Sequence, residues 1–566
     1  MPRQRLQPAF ARSMAAVALA AAFATGARAE DTVVEFVVVR ADTLIGLSSS
    51  VLNSPTAWRE VAKLNKLPNP NRILPGQRLR IPTRLLRANP VSATLVSVSG
   101  DVQAGDAPAS VGARVGEGQS VQTGPNGSAV LELADGSRVR VAPSSLAQVA
   151  ASRTYGDRLP ANAAATAQDA AAANAPSGWF AGTLRLLRGS VEVFATKVLR
   201  ARPLEVVTPT AVVGVRGTTY RVGFDADADS RTHGEVIEGK VRFDIATDAT
   251  GASGADLRSG FGAAADASTK TALVAPLLGA PDLLAIPARF ERPIVRFVPA
   301  GNGTPLRVQV ASDAAFEKIV SDQRVGAGAE VRIAGLDDAQ WYLRARRIDT
   351  QGIEGIDATR PFVLKARPEP PAYRAPRAGA KQAVGAVEFA WAPNVDAPRA
   401  RMQIAEDPAF TRLVKDQDNV DAAGLRADIA EPGSYFWRLA SIRPSGDHGP
   451  FGDPQRFELR PTPEPAKVAR SADGSGLVFH WSGRAEDRQQ VEFARDLEFT
   501  QIVSKAEVSG SEWVLPRPAS GGRYYFRYRS VEPDGFISPY SDKLMVDLPR
   551  DWSGLGLLLP LLIFLL

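Results

Sequence analysis

The sequence contains no cysteine and only three histidines among its 566 residues. The lack of cysteine excludes disulfides, thiol nucleophiles, cysteine-bound metals and a lipid anchor on an N-terminal cysteine. His233, His448 and His480 fall in three different predicted domains, so neither a Ser-His-Asp triad nor a multi-histidine metal centre is expected. No local pattern of carboxylates indicates hydrolytic chemistry. We therefore predict a protein that is not an enzyme, with no catalytic residues, no metal site and no cofactor.

An excess of charge of one sign is also missing. The chain has 67 Lys and Arg residues against 61 Asp and Glu residues, and four of the arginines lie within the first 29 residues, which contain no acidic residue. The remainder is close to neutral, whereas proteins that bind polyanions carry clustered positive charge. We therefore predict no nucleic-acid partner.

Long hydrophobic runs are confined to the two ends of the chain. Residues 1–29 combine arginines, an apolar stretch over 14–23 and an A-x-A site at 27–29, which predicts a signal peptide; a retained N-terminal anchor is the alternative. Residues 549–566 form an apolar tail that contains Pro560 and is shorter than the ~20 residues that cross a bilayer. This tail is expected to contact a membrane, dock on a partner or cover the last domain.

Residues 36–82 follow a strand, helix, helix, strand pattern. Asp42 and Thr43 stand at the N-cap position of the first helix, where side-chain oxygens accept hydrogen bonds from free backbone amides. A Ser-Pro pair at 54–55 ends that helix, and a Pro-Gly turn at 75–76 precedes the closing strand.

This order, with ADTL at 41–44 and ILPGQRLRIP at 73–82, resembles a LysM module, which we place at residues 35–83. Ala41 stands where the family usually has glycine. The resemblance implies that a groove between the two loops binds glycan containing N-acetylglucosamine, chiefly peptidoglycan. The implied walls are Asp42, Thr43, Leu44 and Ile45 on one side, and Asn71, Arg72, Ile73 and Leu74 on the other. Helix capping and core packing are the alternative roles, above all for Asp42 and Leu44.

Residues 90–246 alternate short apolar strands with turns, including hairpin dipeptides at 126–127 and 135–136. Four blocks occur in order: TGPNGSAVLELADGS from 123, LRLLRGSVEVF from 184, TPTAVVGVRGT from 208 and VIEGKV from 236. Together they resemble a FecR domain. FecR proteins of the sigma-regulator type carry a membrane span before this domain, whereas a signal peptide and a LysM module precede it here. The resemblance therefore implies an exported β-domain that binds a ligand or a protein.

Two stretches have the composition of connecting segments. Residues 160–178, inside the FecR-like region, are rich in Ala, Asn and Gln, which predicts an inserted loop. Residues 247–289 are rich in Ala, Gly, Ser and Thr, which predicts a linker.

An internal repeat of about ninety residues occupies the second half of the chain. Its copies contain ASDAAFEKIV from 311, AEDPAFTRLV from 405 and ARDLEFTQIV from 494, each followed by an aromatic strand that ends in arginine. The copies, at 290–366, 370–460 and 464–548, resemble fibronectin type III-like β-sandwiches. Trp391 and Trp481 are predicted to lie in the cores of these sandwiches and not to serve as sugar platforms.

The predicted fold class is mainly β and multidomain: a small βααβ LysM module, a FecR-like β-domain and three sandwiches. The predicted function is an exported, peptidoglycan-binding scaffold in a Gram-negative periplasm, with an envelope protein as its partner. One alternative is a sensor whose FecR-like domain relays a signal to a separate membrane protein. The others are a peptidoglycan hydrolase, and a protein associated with the outer membrane or the cell surface through its tail.

Overall fold

The computed structural model describes residues 33–155, 179–197, 202–215, 217–226, 230–246, 254–269, 271–300, 303–421, 423–472 and 475–549. The predicted signal peptide, the Ala-rich insertion and the tail beyond residue 549 lie outside these residues. Within them strands far outnumber helices, which confirms a mainly β, multidomain fold. No helix in this part of the chain is both long and apolar enough to cross a membrane.

The described residues divide into two compact units. The first runs up to Pro287 and also includes Arg296–Arg332 and Gln340–Phe362. The second comprises Ala288–Val295, Ile333–Ala339 and the chain from Val363 onward.

The first unit begins with the LysM-like module, which has the predicted βααβ order. Its elements are β1 (Val33–Val37), α1 (Leu44–Ser50), α2 (Trp58–Leu64) and β2 (Arg78–Pro82). The two strands are antiparallel, with Val33 opposite Pro82 and Val37 opposite Arg78. Apolar residues alternate along both strands, so Phe36 and Leu79 face the helices and are buried. The module is therefore a two-stranded sheet covered by two short helices.

A 3₁₀ turn at Thr83–Leu85 leads into a closed sheet of β3 to β20, which we call the FecR-like sheet. Alternating residues such as Val139, Val193 and Val222 point inward and are fully buried, so the sheet encloses one apolar core. The first strands are β3 (Ala88–Pro90), β4 (Ala93–Ser99), β5 (Val102–Ala104), β6 (Ala107–Pro108), β7 (Arg114–Val115), β8 (Ser120–Thr123), β9 (Ser128–Glu132), β10 (Arg138–Val141) and β11 (Leu146–Tyr155). The remaining ones are β12 (Trp179–Phe194), β13 (Leu204–Val207), β14 (Ala211–Val215), β15 (Thr219–Asp225), β16 (Arg231–Glu238), β17 (Lys240–Ile245), β18 (Ala255–Arg258), β19 (Phe261–Ala265) and β20 (Leu273–Pro276).

The predicted linker at 247–289 is wrong for its central part. The strands β18, β19 and β20 lie inside it, and β18 pairs with β17 while β19 pairs with β16. Ala263, Ala264 and Ala265 are buried in the sheet. Small residues are typical of linkers, but here they fit a strand that approaches its neighbours closely.

The first repeat supplies β21 (Arg289–Phe290), β22 (Val295–Phe297), β23 (Leu306–Ala311), β24 (Ile319–Val325), β25 (Val331–Ile333), β26 (Ala339–Arg347) and β27 (Ala358–Leu364). Strand β23 pairs antiparallel with β24 on one side and with β26 on the other. The burial along β23 is unusual, because all six of its residues are buried, including Arg307 and Gln309. Both faces of this strand are therefore covered.

The second and third repeats are two-sheet sandwiches in the second unit. The second has β28 (Ala372–Ala375), β29 (Ala380–Ala383), β30 (Gly385–Ala392), β31 (Arg399–Ala405), β32 (Leu413–Val420), β33 (Gly424–Ile429), β34 (Gly433–Ile442) and β35 (Gln455–Arg460). The third has β36 (Lys467–Arg470), β37 (Gly476–His480), β38 (Arg488–Ala494), β39 (Ile502–Ser509), β40 (Glu512–Pro516), β41 (Gly522–Val531) and β42 (Leu544–Leu548).

The cores of these two sandwiches contain the aromatic residues that the repeat pattern indicated. Trp391 is fully buried and Trp481 is 7% exposed, so neither offers a sugar-stacking face. The hydroxyl groups of Tyr435 and Tyr524 donate to the carbonyl oxygens of Glu431 (2.9 Å) and Ser520 (2.6 Å), four residues upstream. A buried tyrosine that bonds back to the chain in this way is typical of fibronectin- and immunoglobulin-like sandwiches.

Candidate glycan-binding site

The first loop of the LysM-like module is held by its own side chains. An oxygen of Asp42 accepts a hydrogen bond from the Val39 amide (2.8 Å), and the Thr43 hydroxyl accepts one from the Gly46 amide (2.9 Å). Thr43 is thus the N-cap of α1. Ala41 has φ +77°, a left-handed conformation that explains why glycine is usual at this position. The loop shape is set by capping bonds together with one strained residue.

The predicted first wall divides into buried and exposed side chains. Leu44 is 2% exposed and belongs to the core of the module, so its predicted contact with glycan is wrong for the side chain. Ile45, the next residue, is 61% exposed. Helical geometry causes this difference, because adjacent residues on a helix point about 100° apart. Thr43 is also exposed, whereas Asp42 is partly buried.

The second loop, between α2 and β2, is shaped by prolines and by short-range hydrogen bonds. The Asn71 amide donates to the side chain of Asn69 (2.9 Å), and the Leu74 amide donates to the side chain of Gln77 (2.9 Å). Backbone bonds between Val38 and both Gly76 (2.7 Å) and Gln77 (2.9 Å) tie the end of this loop to the strand that precedes the first loop. The exposed residues of the loop are therefore presented on a stiff backbone.

A surface concavity of about 570 Å³ lies on this second loop. Its size is within the range of small-molecule sites. Apolar side chains next to amide and guanidinium donors suit a sugar, which offers both C–H faces and hydroxyl or N-acetyl groups. The lining residues are Leu67, Pro68, Asn69, Arg72, Leu74, Pro75 and Gln77.

Only two of the eight predicted glycan-binding residues line this concavity, Arg72 and Leu74. Leu74 is 57% exposed and Asn71 is also exposed, whereas Ile73 packs partly against the module core. Asp42, Thr43 and Ile45 are not among the lining residues. The sequence prediction omitted the lining residues at the start and end of the loop, such as Leu67 and Gln77. The prolines at 68 and 75 were a signal that the whole loop is stiff.

A second polar site lies inside the first unit, where the FecR-like sheet meets the first repeat. Glu354, 1% exposed, receives the guanidinium of Arg307 at 2.7 Å and that of Arg346 at 2.5 Å. Arg221 of β15 donates to Asp357 at 3.0 Å. A cavity of about 20 Å³, large enough for one water molecule, is lined by Arg221, Arg307, Arg346 and Glu354. The junction is therefore ionic instead of apolar.

The charges of this junction are mutually neutralised. Burial raises the pKa of Glu354, but the nearby guanidinium groups of Arg307 and Arg346 outweigh it and hold that pKa well below its usual range. Burial likewise opposes ionisation of Asp357, yet the guanidinium groups of Arg346, Arg221 and Arg344 lower its pKa to about 2. Groups fixed in one charge state are poor acid–base catalysts near neutral pH. Among the described residues, no group of three or more acidic or histidine side chains is placed to hold a metal ion.

His233 lies at the edge of this junction and is fully buried. Its Nδ1 is 2.7 Å from Glu235, and the same carboxylate oxygen accepts the backbone amide of Glu354 (2.9 Å). Burial lowers the pKa of His233, but Glu235, Glu354 and Asp225 together raise it above its ordinary value. The histidine therefore holds its proton to higher pH than a free histidine does, and it contacts the carboxylate of Glu235 that binds the first repeat.

Two family models match the chain. The model of the LysM domain matches residues 36–82, and the model described as FecR protein matches residues 119–242. The families found are binding or regulatory ones.

Solved structures resemble parts of the chain at low identity. A proposed anti-sigma factor from Parabacteroides distasonis ATCC 8503 is 15% identical, with 28% of this chain and 59% of that chain covered, at a TM-score of 0.20. The chicken CNTN1 FN1-FN3 domains are 14% identical, covering 46% of this chain and 95% of theirs, at a TM-score of 0.20. The fibronectin(III)-like modules of Clostridium thermocellum CbhA are 12% identical, covering 31% and 93%, at a TM-score of 0.19. The chain thus spans about three-fifths of the length of the anti-sigma factor structure that it matches.

The two family matches agree with the two arrangements of elements in the first unit, the βααβ module and the closed sheet. This chain therefore carries a LysM domain within residues 36–82 and a FecR domain within residues 119–242, followed by fibronectin type III-like sandwiches.

Proposed function

We propose that the protein is exported to the periplasm and acts there as a non-enzymatic scaffold. In this proposal the LysM domain binds peptidoglycan, and the FecR-like and fibronectin-like domains present surfaces to another envelope protein. The observation that carries the proposal is the exposed concavity on the second loop of the LysM domain. Its stiff backbone lowers the entropy that a glycan would lose on binding.

The residues proposed to contact the glycan are the exposed ones of the two loops. Leu74 and Ile45 offer apolar surface to sugar faces, and Arg72 and Asn71 offer donors to hydroxyl and N-acetyl oxygens. Thr43 retains an exposed hydroxyl beside Ile45, while Asp42 and Ile73 shape the loops. Leu44 contributes only through the core.

The test compares two leucine substitutions in the full chain. Leu74→Asp places a charge in the concavity, and Leu64→Asp places one on α2 of the same domain, where Leu64 is 39% exposed and lies outside the concavity. Purified chains are incubated with insoluble peptidoglycan and sedimented. We expect wild type and L64D to sediment together and L74D to stay in solution, with a loss of about tenfold or more in affinity.

The outcome against the proposal is equal sedimentation of L74D and L64D, or no sedimentation of wild type. The turbidity of the same suspensions is followed over time. A fall with the wild-type chain would identify a hydrolase and contradict the non-enzymatic role.

The FecR match favours one further candidate, a regulator that relays a signal to a separate membrane protein. This role predicts a stable complex with a membrane-embedded partner when the full chain is purified from detergent-solubilised envelopes. A complex that survives loss of peptidoglycan binding in L74D would favour the regulator over the scaffold.

A further inference from the structure

The first and second repeats build the same polar network on the sheet face next to their aromatic strands. In the first repeat, Arg307 donates to both oxygens of Asp322 (2.8 and 2.6 Å), and Gln309 donates to Asp322 (2.8 Å). Arg344 donates twice to Gln309 (3.0 and 2.8 Å) and lies over the ring of Phe316 (4.5 Å).

The second repeat reproduces these contacts almost atom for atom. Arg401 donates to both oxygens of Asp416 (2.9 and 2.6 Å), and Gln403 donates to Asp416 (2.9 Å). Arg438 donates twice to Gln403 (2.9 and 2.7 Å) and lies over Phe410 (3.9 Å). The two repeats therefore present the same arrangement of charge, amide and aromatic ring.

The two faces differ in whether they are covered. The side chains of Arg307 and Asp322 are each 8% exposed, whereas those of Arg401 and Asp416 are 36% and 30% exposed. The apolar residue that follows the shared Phe loop is Ile319 in the first repeat, fully buried, and Leu413 in the second, 46% exposed.

The FecR-like sheet is what covers the face of the first repeat. Ser190 accepts from Arg307 (2.7 Å), and Glu192 accepts from Arg344 (3.3 Å). Ser128 accepts from the Ile319 amide (2.8 Å), and Arg140 donates to the carbonyl of Ala315 (2.6 Å). The covering sheet thus contributes a carboxylate, two hydroxyl groups and one guanidinium.

The third repeat has the same fold, but its corresponding arginine is already paired with a carboxylate of the same repeat. Arg527 donates twice to Glu492 (2.8 and 2.7 Å), which stands where the other repeats have Gln309 and Gln403. Its strand β39 is as exposed as β32, since Val503 is 44% and Val414 is 43% exposed. The third repeat is therefore a matched internal control, with equal exposure and an arginine that its own chain already neutralises.

We propose that the open face of the second repeat docks a β-sheet of another protein. Its more exposed residues are Arg401, Leu413, Val414 and Asp416. They surround Gln403, which is 6% exposed, and Arg438, which is partly buried between the rings of Phe410 and Phe451. The partner sheet carries a carboxylate flanked by hydroxyl side chains, in the arrangement that Ser128, Ser190 and Glu192 have on the FecR-like sheet. This inference rests on the proposed scaffold for the existence of a partner, but not on glycan binding.

A second copy of this chain is not the occupant. Its FecR-like sheet is already covered by its own first repeat. That sheet also presents Arg221, which pairs with Asp357 of the first repeat, whereas the matching position of the second repeat is Phe451. Docking on the second repeat would deprive Arg221 of its ion pair with Asp357 and leave it only the more distant Glu235 (3.6 Å), which is costly in a buried interface.

The test is photocrosslinking in the cells that naturally produce the protein. A photoreactive phenylalanine replaces Val414 in one full-length chain and Val503 in another, and adduct peptides are identified by mass spectrometry. We expect an adduct at 414 on a strand bearing Asp or Glu beside Ser or Thr, and none at 503. Arg438→Gln should lower the yield at 414 about tenfold or more, because it removes one side of a charge pair that becomes buried on docking.

Arg527→Gln serves as the matched control and should leave the adduct at 414 unchanged. If Arg438→Gln lowers the melting temperature, Leu413→Glu replaces it, since an exposed side chain tolerates the change. The proposal is overturned by the absence of an adduct at 414, by equal yields at 414 and 503, by adducts only between copies of this chain, or by yields that neither substitution lowers. Sedimentation of the same variants with peptidoglycan reports separately on the proposed glycan binding.

Discussion

The ion pair that occurs in both the first and the second repeat allows a direct measurement of how much burial adds to its stabilising free energy. Asp322 and Asp416 accept the same three hydrogen bonds at nearly the same distances, but Asp322 is 8% exposed and Asp416 is 30% exposed. We replace each with asparagine, which keeps the shape of the side chain and removes its charge. Any difference between the two variants then reflects the surroundings instead of the contact itself.

The expected magnitudes differ severalfold. Removing one partner of a buried ion pair costs about 3–5 kcal/mol. Because Glu354 still pairs with Arg307 and asparagine keeps one acceptor, we expect about 3 kcal/mol for Asp322→Asn. Around Asp416 water can solvate the released arginine, so Asp416→Asn should cost about 0.2–1 kcal/mol.

The assay is native-state hydrogen exchange followed by mass spectrometry on the full chain, because a multidomain protein has no single free energy of unfolding. Amides of β24 should exchange about 150-fold faster in Asp322→Asn, and amides of β32 at most about fivefold faster in Asp416→Asn. Equal acceleration of the two strands, or a larger effect in β32, would refute the argument that the FecR-like sheet supplies the difference.

Three further predictions concern single residues of the first unit. Ala41→Gly should stabilise the LysM domain by about 0.5–1 kcal/mol, since it removes a left-handed alanine; thermal melting checks this, and no gain would mean that the turn is unstrained. Gly223→Ala should destabilise the FecR-like sheet by about 3 kcal/mol or more, because a Cβ would lie 2.1 Å from the His233 ring; unchanged exchange in β15 would contradict it. Because the pKa of His233 is raised in the fold, its protonation contributes stability that is fully present below the unfolded-state pKa of about 6.5 and is lost as pH rises through the folded-state pKa. His233→Gln should therefore make the exchange rates of β16 less dependent on pH between pH 6 and 9, after correction for intrinsic exchange. An unchanged pH dependence would exclude His233 as its cause.

Local sequence patterns were sufficient where structure depends on near neighbours. The cap at Thr43 and the strand alternation that buries Phe36 and Leu79 follow from positions a few residues apart. The three-copy repeat predicted the burial of Trp391 because a strand with alternating aromatics has only one apolar face to bury.

The candidate site was only partly accessible in this way. Motif position named Arg72 and Leu74, which line the concavity, but it could not separate Leu44 from Ile45, which point in different directions around a helix. Leu67 and Gln77 also line the concavity. Their position depends on the folding of the loop, in which the side chain of Gln77 accepts a hydrogen bond from the Leu74 amide, and motif position alone did not show this.

What the sequence by itself determined is the modular order of the chain and the identity of its domains, because each module has its own local pattern. Tertiary structure alone decided that the alanines of β19 complete the FecR-like sheet and that Arg307 and Glu354 are buried. Charged residues usually lie at the surface, and here partners that only the tertiary structure brings together compensate for their loss of water. Arg307 is bonded to Asp322 and Glu354, and to Ser190 more than a hundred residues away. The same physics distinguishes the covered first repeat from the open second one, although the two carry the same network.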